Sequence, residues 1–147
     1  MRVWRISNHP DLSGRGGILS QGRWNRVGTP VVYCSDHPAT SLLEMLVRVE
    51  RLDAPAGFKL LTIDLPDGAP MLQLDASQLP VDWRTDFVFT RSLGDGLLKR
   101  AEHLFILVPC ALVPFAWNVL LNSTHPDSIG CSIVEVTESS FDPRLIR

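Results

Sequence analysis

The sequence predicts a mixed α+β fold in a single domain that spans residues 1–147. Short apolar runs bounded by proline, glycine and aspartate recur along the chain, which is typical of strands. Only two longer segments repeat apolar residues at helical spacing, so we expect two principal helices and about seven short, mixed strands. A chain of 147 residues with 45% hydrophobic and 20% charged residues has the size and composition of one compact globular domain.

The first part of the chain predicts two strands separated by a glycine-rich loop. Arg2 to Ser7 alternates in polarity, which indicates a strand with one covered face. Asn8 to Gly28 contains five glycines and no periodicity, and loops of this length are usually functional or disordered. The β-branched run Pro30 to Ser35 predicts the second strand.

The first principal helix is predicted directly after that strand. Ser35 or Asp36 can cap its N-terminus, and Pro38 suits its first turn. Apolar residues recur at helical spacing until the segment Asp53 to Gly57, where proline and glycine stop the pattern. We therefore expect the helix to run to about Leu52.

The rest of the chain continues the pattern of short strands with one more helix. The predicted elements are strands at Phe58–Leu65 and Met71–Leu74, a turn at Leu79–Trp83, a helix at Thr90–His103, and strands at Phe105–Val113, Trp117–Leu121 and Ser132–Val136.

The charge of the chain argues against nucleic acid as a direct partner. The formal net charge is −2, and no basic stripe or recognition motif is present. All but two of the fourteen positive residues are arginines. This bias is compatible with an anionic ligand, although GC-rich coding would produce it too.

The cysteines, the histidines and the apolar runs favour a reduced, cytoplasmic protein. Three cysteines without a C-x-x-C motif cannot all pair, and the four histidines are not spaced from one another as metal ligands. No signal peptide is visible, and no apolar run is long enough to cross a bilayer. We expect no metal and no membrane association.

Residues Gly22 to Asn25 form the first candidate site. Arg23, between a glycine and Trp24, could clamp a diphosphate while the indole covers a planar ring. The alternative is a surface arginine beside a tryptophan that anchors the core.

Glu44 and a polar segment at a strand end are further candidates. Glu44 lies in the N-terminal half of the predicted helix, where a glutamate either interacts with the helix dipole or faces a site. Asn118 to Asp127 places polar residues after an apolar strand, which can line a pocket or form an ordinary turn. Motifs of serine hydrolases, P-loop enzymes and Rossmann dehydrogenases are absent from the sequence.

An ordered set of short segments spread over nearly the whole chain carries a family resemblance. The segments are Trp4-Arg5-Ile6, Gly22-Arg23-Trp24-Asn25, Gly28 to Ser35, Leu43-Glu44, Val108-Pro109, Asn118, Leu121-Asn122, His125-Pro126-Asp127 and Asp142 to Leu145. Together they resemble the RES domain family, toxins of bacterial toxin–antitoxin modules.

The resemblance implies a fold similar to ADP-ribosyltransferases and an action on NAD⁺ that releases nicotinamide. The family is named after an arginine, a glutamate and a serine, and Arg23 and Glu44 match the first two. Cys110 stands where the serine is expected, and Ser123 lies in a nearby motif. Either of the two can replace the family serine.

The resemblance gives each candidate a chemical role. Glu44 would stabilise the positive charge that builds on the ribose as the bond to nicotinamide breaks. Arg23 with Arg5 would bind the diphosphate, and Tyr33 would stack on nicotinamide or ribose. The predicted catalytic residues are Arg23, Tyr33 and Glu44, and the predicted substrate-binding residues are Arg5, Trp24, Asn25, Cys110, Asn122 and Ser123.

The resemblance also implies an Xre-type antitoxin as partner, in a hetero-oligomer that blocks the active-site cleft. NAD⁺ would be the substrate and no cofactor is expected. Cleavage by phosphate and cleavage by water remain alternatives, and either would deplete cellular NAD⁺. Two further alternatives are transfer of ADP-ribose to a protein, and a non-catalytic domain that binds its antitoxin or a nucleotide.

Overall fold

The computed structural model describes residues 1–49 and 55–146, which are organised around one seven-stranded sheet. The strands are β1 (Arg2–Ile6), β2 (Val32–Ser35), β3 (Gly57–Asp64), β4 (Met71–Gln73), β5 (Phe105–Pro109), β6 (Trp117–Leu121) and β7 (Ser132–Ser140). The α-helices are α1 (Arg15–Leu19), α2 (Pro38–Leu46) and α3 (Phe87–Arg100). Among these described helices, none has the length and apolar character to cross a membrane.

The sheet opens at its centre. Its strand order is β4-β5-β6-β2-β1-β3-β7, and all neighbours are antiparallel except the parallel pair β4 and β5. β1 pairs with β3 along its whole length, and β2 does the same with β6. Within the described chain, β1 and β2 meet only where Trp4 pairs with Ser35. The two halves of the sheet therefore diverge between β1 and β2.

Apolar side chains fill both faces of the sheet. The alternation of side chains along β2 sends Val32 and Cys34 into one core cluster, while Tyr33 contacts the other. The second cluster contains Trp24 and is covered by α3 through Leu98. The first cluster combines residues of β1 and β3 with residues of β2, β5 and β6, so it holds the two halves of the open sheet together.

The predicted α+β class is confirmed, with corrections to the ends of several strands. β5 ends at Pro109 and not at Val113, because the Cys110 amide donates to the Ala116 carbonyl and the chain turns there. β7 continues beyond the predicted Val136 to Ser140, since β3 pairs with it over that whole length.

The limits of α2 differ from the prediction at both ends. His37, and not Ser35 or Asp36, caps the helix, because its Nδ1 accepts from the Ala39 amide at 3.0 Å. Ser35 is the last residue of β2, and the Asp36 carboxylate bonds elsewhere. The helix ends at Leu46, well before the predicted end, which lies outside the described residues.

The glycine-rich loop contains a short helix that the sequence did not predict. α1 begins after Gly14, which has a φ of 75°. A Cβ at Gly14 would approach the Val31 amide nitrogen to 2.8 Å, so the loop packs closely against the start of β2. α3 begins three residues before the predicted Thr90, because the Asp86 side chain accepts from the Phe89 amide.

Candidate active site

A cavity of about 290 Å³ lies where the sheet opens between β1 and β2. Arg5 of β1, Tyr33 of β2, Glu44 of α2 and Asn118 of β6 line it. α2 is held over the opening because the Ser41 hydroxyl donates to the Trp4 carbonyl at 3.1 Å. The cavity therefore collects side chains from three strands and one helix.

One oxygen of the Glu44 carboxylate is fixed by two neighbours. Asn118 Nδ2 donates to Glu44 Oε1 at 2.8 Å, and the Cys110 thiol donates to the same oxygen at 3.4 Å. The Ser35 hydroxyl donates to Asn118 Oδ1 at 3.4 Å and orients the amide. Within the described residues, no protein group donates to Oε2, so that oxygen is available to a ligand.

Of the two candidates for the family serine, Cys110 contacts Glu44 and Ser123 does not. The side chain of Cys110 is buried, and its sulfur also accepts from the Leu112 amide at 3.4 Å. Burial raises the pKa of the Cys110 thiol, and the adjacent Glu44 charge raises it further, so it stays a protonated donor. Ser123 instead lies beside Gly14 of the glycine-rich loop.

Arg23 lies next to the cavity without lining it. Its guanidinium packs over the Phe87 ring, 4.8 Å from the centroid, and donates to the Arg84 carbonyl. Burial lowers the pKa of Arg23, and the negative charge of Glu44 opposes that shift. The charges of Arg23 and Glu44 therefore interact across the edge of the cavity.

Tyr33 joins the cavity to the loop that carries Arg23. Its hydroxyl accepts from the Trp24 amide at 3.0 Å and donates to Asn25 Oδ1 at 2.7 Å. Burial raises the pKa of Tyr33 to about 12, so the phenol is neutral at physiological pH. Gly22 lies so near that a Cβ there would come within 2.6 Å of the Tyr33 hydroxyl.

Three residues predicted to contact substrate are instead part of the protein interior. Trp24 is 1% exposed and packs on Trp83 at 5.9 Å, so no face of its indole can cover a ligand. Asn25 donates to three loop carbonyls, and Asn122 donates to the Leu98 carbonyl at 2.9 Å. The prediction for these residues is corrected: the buried amides use their polar atoms to hold loops together.

Asn118, Ser35 and Arg48 belong to the cavity and were not singled out from the sequence. Asn118 appeared only as the start of a polar segment and as part of the family resemblance. Arg48 follows the end of α2 and lines the cavity. No local pattern distinguishes these residues from ordinary strand and surface residues. The sheet order brings Ser35 and Asn118 to Glu44, whereas Arg48 follows Glu44 by four residues, just after the end of α2.

Arg5 and Arg48 line the cavity and Arg23 and Arg84 lie beside it, although the chain as a whole carries −2. The charges of Arg48 and Arg84 lower the pKa of Arg23, which places the three guanidinium groups within range of one another. None of these arginines, nor Arg5, forms an ion pair within the described residues. The arrangement suits an anion that carries more than one charge.

The described residues contain no group of three or more metal-ligating side chains.

Comparisons with known proteins agree with the resemblance. The RES domain model matches residues 2–142. The chain is 40% identical over 147 residues to "Toxin Res" of Pseudomonas putida, covering 99% of both chains. It is 32% identical over 154 residues to "Prs ADP-ribosylating toxin" of Sphingobium sp., covering 98% of this chain and 96% of that protein.

A solved structure shares the fold. The toxin–antitoxin complex MbcT–MbcA of M. tuberculosis superposes with a TM-score of 0.75 at 20% identity, covering 95% of this chain and 84% of that one. The predicted family is thus confirmed by the domain match and by full-length relatives above 30% identity. The chain belongs to the RES domain family, as a relative of its toxins.

Proposed function

We propose that this protein is a toxin that cleaves the bond between nicotinamide and ribose in NAD⁺. The observation that carries the proposal is the Glu44 carboxylate at the cavity, with Oε1 held by Asn118 and Cys110 and Oε2 free of protein donors within the described chain. A fixed carboxylate beside a cluster of arginines fits a substrate that carries a diphosphate and develops positive charge when it reacts.

The reaction needs little more than these groups. When the bond between the ribose C1′ and the pyridinium nitrogen breaks, its electron pair stays on nicotinamide, which leaves as a neutral molecule. Positive charge builds on the ribose, and Glu44 Oε2 stabilises it. Water then forms the new C1′–O bond and releases one proton to the solvent, or a phosphate oxygen forms that bond instead. Because the leaving group is neutral, no general acid is needed.

The arginines would hold the other half of the substrate. Arg5 lines the cavity, and Arg23 and Arg48 surround its mouth. Guanidinium groups bind phosphate oxygens in pairs, so these residues would fix the diphosphate and keep the ribose close to Glu44. The buried Tyr33 ring forms a wall of the cavity against which nicotinamide or ribose can pack.

Release of nicotinamide from NAD⁺ by the purified protein, with and without phosphate, tests the proposal. Glu44→Gln keeps the volume of the side chain and removes its charge, so we expect nicotinamide release to fall by at least a hundred-fold. Glu102→Gln changes an exposed glutamate and is the matched control. Full activity of Glu44→Gln would exclude the assigned role.

Transfer of ADP-ribose to a protein is a second candidate, favoured by the relative named as a Prs ADP-ribosylating toxin. NAD⁺ labelled in its adenosine half distinguishes the two. Label that becomes attached to a protein supports transfer, and label in small products supports NAD⁺ breakdown. Expression without harm to the cell would favour a non-catalytic domain.

We further propose an antitoxin as the natural partner, of the Xre type, in a hetero-oligomer located in the cytoplasm. The structural neighbour is a toxin in complex with its antitoxin, which supports a partner of this kind. Co-expression with the neighbouring gene, followed by co-purification and growth measurements, tests it. Growth arrest that the neighbouring gene does not relieve would exclude that gene product as the antitoxin.

A further inference from the structure

Three arginines are stacked on two aromatic rings at the N-terminus of α3, beside the cavity. Arg23 lies 4.8 Å from the centroid of Phe87 and 5.8 Å from that of Trp83. Arg84 lies 4.8 Å from the Trp83 centroid, and Arg91 lies 5.0 Å from that of Phe87. We call these five residues the arginine shelf.

The arginine shelf has positive charge without a matching carboxylate. Arg23 donates to the Arg84 carbonyl and Arg91 Nε donates to the Gly22 carbonyl at 2.8 Å, so these bonds neutralise no charge. Within the described residues none of the three guanidinium groups forms an ion pair. Like charges this close repel one another, and an anion with several oxygens would relieve the repulsion.

The guanidinium groups lie over two rings that differ in exposure, since Phe87 is 39% exposed. Trp83 is 2% exposed, whereas Arg84 is exposed to solvent. An arginine with one face on an aromatic ring still presents its other face, and a guanidinium plane can stack on a purine. The arginine shelf therefore offers both charge for phosphates and a flat surface for a heterocycle.

The arginine shelf is continuous with the cavity through Tyr33. Arg91 donates to the Gly22 carbonyl, and a Cβ at Gly22 would lie 2.6 Å from the Tyr33 hydroxyl. That hydroxyl also binds the Trp24 amide, next to Arg23. A ligand whose reacting end is at Glu44 can thus extend past Tyr33 onto the arginine shelf.

We propose that the arginine shelf binds the adenosine diphosphate part of the dinucleotide, with the phosphates on the guanidinium groups and the purine stacked on Arg84. This inference rests on the proposed function, because it assumes that the reacting half of the same molecule occupies the cavity. It adds Trp83, Arg84, Phe87 and Arg91 to the residues that recognise the substrate.

Calorimetric titration of the full chain with ADP, inorganic pyrophosphate and nicotinamide mononucleotide tests the proposal. Arg84→Ala should weaken ADP binding roughly ten-fold or more, since it removes a charged donor and a stacking plane. Arg84→Lys should retain pyrophosphate affinity within about two-fold and weaken ADP binding several-fold, because lysine keeps the charge but not the plane. Neither variant should change the affinity for nicotinamide mononucleotide.

Arg100→Ala is the matched control. Arg100 is an exposed arginine in the last turn of the same helix, and its removal changes the net charge equally. It should leave ADP affinity unchanged. Equal ADP binding by wild type and both Arg84 variants would overturn the proposal. The Arg84 variants could instead bind a poly-glutamate peptide more weakly than wild type while their affinity for ADP is unchanged. That result would overturn the proposal and identify an acidic protein segment as the ligand of the arginine shelf.

Failure of the arginine shelf and failure of the proposed function are distinguishable, because ADP binding requires no turnover. Arg84-dependent ADP binding without any nicotinamide release would overturn the proposed reaction and support the arginine shelf. Normal nicotinamide release together with an ADP affinity that is independent of Arg84 would support the proposed reaction and overturn the arginine shelf as the ADP site.

Discussion

Asn118 donates a hydrogen bond to Glu44 over 2.8 Å, although 74 residues separate them in the sequence. Asn118 is itself oriented by Ser35, at the one position where β2 also meets β1. The contact links β6, β2 and α2 at the opening of the sheet. It directs one oxygen of the carboxylate to the protein, while within the described residues no protein group donates to the other.

Asn118→Ala should lower kcat for nicotinamide release by about ten- to a hundred-fold with little change in KM. The substitution removes a hydrogen bond to a charged group and allows the carboxylate to rotate, while the arginines that would bind the diphosphate remain. Steady-state kinetics with NAD⁺ as substrate measure kcat and KM separately for wild type and for Asn118→Ala.

Asn8→Ala is a control for Asn118→Ala, since Asn8 is exposed and lies outside the cavity. Circular dichroism should show the same fold for both variants. A rise in KM with normal kcat would mean that Asn118 contacts the substrate and does not position Glu44.

Cys110→Ser should keep or increase activity, and Cys110→Ala should reduce it. A hydroxyl is a stronger donor than a thiol, so serine can replace the 3.4 Å bond to Glu44, whereas alanine leaves Oε1 with Asn118 alone. Ser123→Ala should have wild-type kcat, because Ser123 does not contact Glu44. A larger loss in Ser123→Ala than in Cys110→Ala would reverse the assignment of the family serine.

Tyr33→Phe should destabilise the protein by about 1–3 kcal/mol at neutral pH, since the buried Trp24 amide loses its acceptor. The ordinary tyrosine pKa of 10.0 rises to about 12 in the fold, so this contribution is fully present below pH 10 and is lost as the pH approaches 12. Urea unfolding at increasing pH should show the stability difference between wild type and variant shrinking over that range.

The same ionisation can be observed directly, because Tyr33 is the only tyrosine of the chain. Its tyrosinate absorbance should titrate near pH 12 in the folded protein and near pH 10 in urea. A folded-state midpoint near 10 would show that the phenol is solvated and that its hydrogen bonds do not hold the loop.

Two glycines of α3 should respond in opposite directions to substitution by alanine. A Cβ at Gly94 would lie 2.0 Å from the Trp24 carbonyl oxygen, so Gly94→Ala should cost about 1–3 kcal/mol through overpacking. Gly96 has only the flexible Arg100 side chain nearby, at 3.6 Å, so Gly96→Ala should stabilise the helix by roughly 0.5–1 kcal/mol.

Thermal unfolding of the two glycine variants measures these effects. Gly94→Ala should also lower activity, because the displaced Trp24 backbone carries Arg23 with it. Equal melting temperatures for both variants would show that α3 can move away from the loop without cost.

The local sequence was sufficient to locate the strands and to identify the family. Alternating or β-branched runs such as Pro30 to Ser35 favour extended backbone within a few residues, so the strands could be located without knowing their neighbours. The ordered segments around Arg23 and Glu44 were enough to identify the RES domain. Element ends were less well predicted, because the caps at His37 and Asp86 depend on which side chain reaches a free amide.

The tertiary structure decided which polar residues form the site. Trp24 and Arg23 are adjacent in sequence and both contact Trp83, yet the Trp24 indole is buried in the core, whereas the Arg23 guanidinium lies over the Phe87 ring beside the cavity. Asn118 reaches Glu44 because β6 pairs with β2 across the sheet. Such contacts depend on strand order and on packing between distant segments, whereas sequence patterns report only the preferences of a few consecutive residues.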